Sequence, residues 1–332
     1  VIWYYSSVKT WAQHMVKKRG LKPAAPMPED IVSFPHAFPS FGDFYSRKGR
    51  ITKLPVMASR SVVLDSGAHH FFNLSGHSVA PGNSGVTGGN VAEYDLNHYV
   101  QSYIAFVKHN WDKIDYFIEL DIADIYGMKH VKAVRNEFVE ADIWEKCVGG
   151  WHPVNGMDDY EDMLTWPSGM VGLQGMRRDA AVLPYNKLIK MAYDVGVKAH
   201  GFAMTKPEYL LKWPFYSVDS TSWLSPDRYG QIRIFDMKTN SFQTIYSGKA
   251  TRFKNSPRRI KPVVMFDLYD QLAFAIKETE KAQTWFTNYW RSKGVLWRER
   301  VMEYGRIYDD DRTRHLGHHR PDRTAEKSTV EL

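Results

Sequence analysis

Apolar positions along the chain follow two alternating periods. Short runs dense in β-branched and aromatic residues read as strands: "VIWYYSS" (1–7), "RSVVLDSG" (60–67), "IDYFIELDIAD" (114–124), "GWHPV" (150–154), "GMVGLQGM" (169–176), "VKAHGFAM" (197–204) and "FYSVDS" (215–220). Between them lie stretches with helical spacing at 8–20, 95–111, 128–144, 180–196 and 206–213, the second with Asp95 as N-cap. Strands that read as unbroken apolar runs, separated by helical segments, predict a parallel sheet covered on both faces. The seven strand candidates predict an α/β chain forming a (β/α)8 TIM-like barrel of irregular build, with a doubly wound sheet as the alternative. Five prolines (Pro23, Pro26, Pro28, Pro35, Pro39) mark a long loop, and 73–90 is a Gly/Ser-rich one.

After Gly230 the pattern changes. Residues 231–248 alternate with period two around a turn at Lys238-Thr239-Asn240, which predicts a β-hairpin. The basic stretch 249–261 follows, then a long amphipathic helix over 266–294. The expected organisation is a barrel core over 1–229, a basic hairpin insertion over 230–262, and a helical part over 263–305 that completes the barrel. Residues 306–332, charged and poor in core residues, read as a disordered tail.

Composition narrows the partners. The net charge of +7 favours an acidic polymer, nucleic acid first. The single cysteine excludes an intrachain disulfide and an all-thiolate zinc site. No apolar run approaches the roughly 20 residues of a membrane span. The expected setting is cytoplasmic.

Candidate chemistry sits at the strand ends, where a parallel barrel places its active site. Four strands deliver a polar residue there: Asp65, Asp121, Gln174 and Asp219. Two carboxylates facing one carbon suit displacement at an anomeric centre, one as nucleophile and the other as general acid and base. A third aspartate with a glutamine suits a guanine-like edge, since the carboxylate accepts from ring N–H and amino groups while the amide meets the carbonyl.

These segments resemble the tRNA-guanine transglycosylases. "LDSGAHH" is similar to that family's Asp-Ser-Gly-Gly-Phe-Gln motif, "VGLQGMRRDA" to its Gly-Ile-Val-Gln-Gly-Gly segment, and "HGFAMTKPEYLLKWPFYSVDSTSW" to the Met-Gly-Val-Gly stretch leading to the nucleophile strand. "ELDIAD" takes the place of the strand whose aspartate reads the base. The resemblance covers roughly residues 60–225 and implies Asp219 as nucleophile and Asp65 as general acid/base. It further implies Asp121 and Gln174 as base readers, with Ser66, Gly67, His69, Gly175, His200, Gly201 and Phe202 lining the substrate.

The departures are informative. His69 and His70 replace the stacking Phe and the Gln, and His200 replaces a Met. One strand–helix unit looks missing between Gln174 and Asp219. No cysteine follows Asp219, so the family's zinc module is absent and the basic segment stands in its place. The chain therefore looks like the zinc-free 7-deazaguanine DNA transglycosylases of phages and bacteria. The resemblance implies exchange of guanine in DNA for a deazaguanine such as 7-cyano-7-deazaguanine (preQ0), without metal or cofactor. Lys249, Arg252, Lys254, Arg258, Arg259 and Lys261 are the expected phosphate contacts. The alternatives are a zinc-free enzyme acting on tRNA, a metal-dependent hydrolase using Asp65, His69, His70, His200 and Asp219, and a non-catalytic nucleic-acid-binding barrel. No Gly-Lys-Ser/Thr phosphate loop is present.

Overall fold

A computed structural model describes residues 1–6, 36–45, 59–68, 96–174, 183–246 and 268–297. Eight parallel strands close into a barrel: β1 (Ile2–Ser6), β2 (His36–Phe38), β3 (Ser61–Leu64), β4 (Tyr116–Ile118), β5 (Cys147–Trp151), β6 (Met170–Leu173), β7 (Lys198–Gly201) and β8 (Ser217–Ser220). Each pairs with the next, and β8 returns to β1 with Tyr4 opposite Asp219. With helices between the strands this is a (β/α)8 TIM-like barrel, and its closure excludes the doubly wound sheet.

Both faces of every strand are buried, which explains the continuous apolar runs. Tyr4, Phe38, Val63, Ile118, Val148 and Met170, one from each of the first six strands, pack together as the barrel's interior. Their neighbours of opposite parity, among them Trp3, Tyr5, Val62, Leu64, Phe117, Val171, Ala199 and Val218, join a second and larger core against the helices. Cys147 lies in that outer layer, where burial pushes its thiol well above the ordinary value.

The helices that carry this layer are α1 (Phe41–Phe44), α2 (Leu96–His109), α3 (Ala123–Tyr126), α4 (Met128–Glu140), α5 (Met157–Met163), α6 (Tyr185–Asp194), α7 (Pro207–Lys212), α8 (Ser225–Tyr229) and α9 (Leu268–Ser292). In α2, Tyr99, Val100, Tyr103, Phe106 and Val107 recur at helical spacing and are buried. The Tyr103 hydroxyl donates to the Ile118 carbonyl at 2.9 Å and ties the helix to β4. Helix α9 covers β1: Gln283 Oε1 accepts the Trp3 N–H at 2.8 Å, and the Tyr5 hydroxyl donates to the Ile276 carbonyl.

The expected hairpin is present as β9 (Gln231–Asp236) and β10 (Ser241–Tyr246), antiparallel, with Asn240 at φ 53° in its turn. It packs on α9 through Phe235, whose ring meets Trp285 and Phe286 and whose N–H donates to Glu278.

Several expectations need correction. The barrel has eight strands where the sequence predicts seven, and the eighth, β2, lies inside the Pro-rich stretch read as loop. No strand–helix unit is missing between Gln174 and Asp219, because β6, β7 and β8 are successive barrel neighbours. The strand expected at 150–154 begins earlier, at Cys147, and gives way to a 3-10 turn at Pro153. The strand expected over 114–124 is confined to Tyr116–Ile118, so Asp121 lies beyond its end. The helix expected from 180 starts at Tyr185, just after Pro184, which lacks an N–H to continue it backwards. The expected helix at 8–20, Asp95, the loop at 73–90, the segment 249–261 and the tail at 306–332 lie outside the described residues, as do His69, His70 and Gly175.

Candidate active site

At the C-terminal mouth of the barrel the inward parity changes from apolar to polar. Asp65 follows the last residue of β3 and remains in register with β2: its N–H donates to the Pro39 carbonyl, and its own carbonyl accepts from Phe41, both at 2.8 Å. The chain then turns back at Gly67. A Cβ there would stand 2.4 Å from the Gly42 nitrogen, and φ is +71°, so only glycine fits. The turn brings the Gly67 N–H to Asp65 Oδ2 at 3.2 Å. The Tyr99 hydroxyl donates to the carbonyls of Ser66 and Gly67 and holds the turn against α2. Burial raises the Asp65 carboxyl to about 6, and the charge of Asp219 adds to the rise. Hydrogen bonds from Ser40 and the Gly67 N–H act against it.

Asp219 lies within β8 and shares the mouth. Its Oδ2 accepts from the Ser6 hydroxyl at 2.9 Å, and its Oδ1 accepts the Ala203 N–H at 2.8 Å. Ala203 reaches this position at φ 55°, a left-handed conformation that costs a non-glycine residue on the order of 1–2 kcal/mol. That strain aims a backbone donor at a carboxylate. Asp65 and Asp219 thus share the mouth in different surroundings, on strands separated by β1 and β2, and the charge of Asp219 is felt at Asp65.

His200, on β7, is 1% exposed and lies beneath Asp219. Its ring stacks on Phe38 (centroids 5.5 Å apart, planes 9° apart) and meets Tyr4 and Phe202 edge-on. Its Nδ1 is 2.9 Å from Ser217 Oγ, and its Nε2 is 3.4 Å from Asp219 Oδ1. The resemblance placed His200 against the substrate; the structure places it against Asp219.

Phe202 leans over the inward faces of β5 and β6. A Cβ at Gly172 would lie 2.4 Å from its ring, so that glycine makes the slot it fills, while one at Gly150 would stand at ordinary contact distance, 3.7 Å. Gly201 has a different cause. A Cβ there would meet Phe215 and Met204 at 2.9 Å, and Phe215 belongs to the outer core, so this glycine permits close packing behind the strand.

Gln174 follows β6, two residues beyond Gly172. Its N–H donates to the Trp151 carbonyl at 3.2 Å and its carbonyl accepts from the Tyr185 hydroxyl at 2.7 Å. Asp121 stands three residues past β4, on the rim, with a half-exposed side chain 3.1 Å from His152 Nε2.

Sequence reasoning missed Ser6, Ala203 and Gly172, and also a charged group behind the rim. Arg135, on α4, pairs with both Glu119 and Asp159, and all three are buried. Glu119 Oε1 also accepts the Gly150 N–H at 2.7 Å. Burial raises the Glu119 carboxyl, against the opposing pull of Arg135. Arg135 falls on the apolar stripe Val131, Val134, Phe138, and a cation at that position implies buried carboxylates.

Among the described residues no group of three His, Cys, Asp or Glu side chains is placed to hold a metal ion, and no helix is long and apolar enough to cross a membrane. No protein-family profile, curated protein sequence or solved structure matches the chain.

Proposed function

We infer that the protein is a base-exchange transglycosylase that replaces guanine in DNA with a 7-deazaguanine. The observation that carries this reading is the pairing of Asp65 and Asp219 at one mouth in unlike environments. Asp65 is half-buried, with its carboxyl raised to about 6, as suits a group that gives and takes a proton near neutrality. Asp219 is fixed by donors on both oxygens, as suits a nucleophile held in one orientation.

In the first displacement a carboxylate oxygen of Asp219 attacks C1′ of a flipped-out nucleotide. The C1′–N9 bond breaks, its electron pair leaves with guanine, and the Asp65 proton passes to the departing base. A covalent aspartyl-glycosyl intermediate remains. In the second displacement the incoming base gives its ring N–H proton to Asp65. Its nitrogen bonds to C1′, and the ester oxygen returns to Asp219 as carboxylate. Protons and charges balance over the cycle, and no other reactant is required. Asp121 and Gln174 on the rim are the candidate readers of the base edge, and Phe202 is a candidate face for the base to rest on.

The basic balance of the chain favours a polyanionic substrate. The resemblance of the sequence motifs supports guanine as the exchanged base. The test uses duplex DNA and bulk tRNA carrying radiolabelled guanine, with preQ0 as the incoming base. Release from DNA, abolished by Asp219→Asn, is the expected result. Release from tRNA alone would move the substrate to RNA. Release from neither would overturn base exchange.

A further inference from the structure

The His200 ring is caged by Phe38, Tyr4 and Phe202 and cannot turn away from its neighbours. Its Nε2 is buried and, among the described residues, has no hydrogen-bond partner; it lies 3.4 Å from Asp219 Oδ1, beyond good hydrogen-bonding distance. A methionine or leucine would fill this space with no unsatisfied polar atom.

Ser217 decides which nitrogen carries the proton. Its hydroxyl is fully buried and, among the described residues, has His200 Nδ1 as its partner. If Nδ1 donated to Ser217, the hydroxyl proton would have no acceptor there and the bare Nε2 lone pair would face a carboxylate oxygen. If Ser217 donates to Nδ1, the pair is satisfied and the ring proton sits on Nε2, 3.4 Å from Asp219 Oδ1. The second arrangement avoids both penalties.

We propose that His200 is a positioning residue for Asp219 that acts in the second displacement, when the carboxylate leaves; this rests on the base-exchange reading. In the first displacement Asp219 loses negative charge as it becomes an ester, so a donor beneath it gives no acceleration. In the second, the C1′–Oδ electron pair returns to Asp219 while the new base–C1′ bond forms and the base's proton goes to Asp65. The Nε2–H then faces an oxygen whose charge is growing, and the attraction between them strengthens as the ester bond breaks. In the ester the same oxygen carries little charge, so the donor stabilises the transition state of this step more than its ground state.

The test separates the two half-reactions. His200→Met is mixed with guanine-containing DNA, the covalent adduct is followed on denaturing gels, and preQ0 is then added. Adduct formation at no less than the wild-type rate is expected, with resolution slowed roughly 10- to 100-fold, the range for a lost charge-assisted bond. The adduct therefore accumulates. His200→Gln, which keeps a side-chain N–H, should recover part of the resolution rate. Ser217→Ala, a smaller change that releases the tautomer, should show the same accumulation more weakly and serves if the Met variant does not fold.

Equal slowing of both steps, or of neither, would reduce His200 to packing and overturn the proposal while leaving base exchange standing. Absence of any adduct or exchange in the wild type would overturn base exchange itself. Independently of activity, ¹⁵N-histidine NMR spectra should show the wild-type resonance lost in His200→Gln as an Nε2–H tautomer. A proton on Nδ1 would overturn the proposal.

Discussion

Ser6, the last residue of β1, donates its hydroxyl to Asp219 Oδ2 at 2.9 Å. The register explains the contact. Tyr4 lies opposite Asp219 across the β1–β8 seam, and Ser6 is the next residue of β1 on the same face, one step nearer the mouth. The candidate nucleophile is therefore held from both sides, by β1 through a side chain and by the turn after β7 through the Ala203 N–H.

Removing the hydroxyl in Ser6→Ala leaves one oxygen of Asp219 without its donor. Hydrogen bonds to charged groups are worth ~1.5–3 kcal/mol, so exchange should fall roughly 10- to 100-fold. The melting temperature should change little. Steady-state exchange and a thermal melt on the same preparation check both halves, and unchanged exchange would remove Ser6 from the site.

Asp65 links pH to stability. Its folded-state carboxyl, at about 6, lies above the ordinary 3.8, so the folded protein holds this proton more tightly than the unfolded chain does. The stabilising contribution is full below pH 3.8 and is lost as pH rises through 6; the difference is on the order of 3 kcal/mol. Asp65→Asn keeps an acceptor for the Gly67 N–H and carries no charge. It should exceed the wild type in unfolding free energy at pH 8 by about 1–3 kcal/mol and match it near pH 4, while losing exchange. Urea titrations at the two pH values decide, and a variant less stable than wild type at pH 8 counts against a raised Asp65 carboxyl.

The two glycines under Phe202 should behave unequally. Gly172→Ala would place a methyl 2.4 Å from the ring, whereas Gly150→Ala would place it at ordinary contact distance, 3.7 Å. The first should push Phe202 toward the mouth, with ~1–3 kcal/mol lost to overpacking and weaker binding of the free base. The second should leave base binding within about twofold of wild type. Calorimetric titration with preQ0 compares them, and equal affinities would mean that Phe202 is no part of the base site.

Arg135 neutralises two buried carboxylates, so Arg135→Met leaves Glu119 and Asp159 facing each other uncompensated. Loss of one partner from such a group costs ~3–5 kcal/mol. Glu119 already has a raised carboxyl, and removal of the guanidinium raises it further. The deficit should therefore shrink as pH falls and Glu119 takes a proton. Melting temperatures of variant and wild type between pH 5 and 8 should converge on the acid side; a constant gap would argue that the lost packing on Trp166, not charge, is responsible.

The architecture was legible where strands are long enough to show two buried faces, as at β1, β3, β6, β7 and β8. It was illegible at β2. His36-Ala37-Phe38 is three residues long and sits between Pro35 and Pro39, so neither length nor alternation distinguishes it from loop. In the site, Asp65 and Asp219 were readable as carboxylates closing apolar runs. Ser6 was not, because its role depends on the register of β1 against β8, which no local pattern encodes. Asp121 was read as a strand end because the apolar run continues through Leu120. The strand stops at Ile118, and Glu119 turns outward to Arg135. Gly172 was quoted within its motif, yet its purpose lies in the ring of Phe202, thirty residues on.

The seam between β1 and β8 also sets a timetable for synthesis. Ser6 and Asp219 are 213 positions apart, an interval of ~10–40 s at translation rates of ~5–20 residues per second. Until β8 emerges, β1 has an open edge, and until α9 follows, Trp3 lacks the acceptor of Gln283. An unpaired, aromatic-rich edge is prone to stray strand pairing on the nascent chain. The Ser6–Asp219 contact is made as that edge is sealed, so every chain that holds it has already passed its unpaired-edge stage.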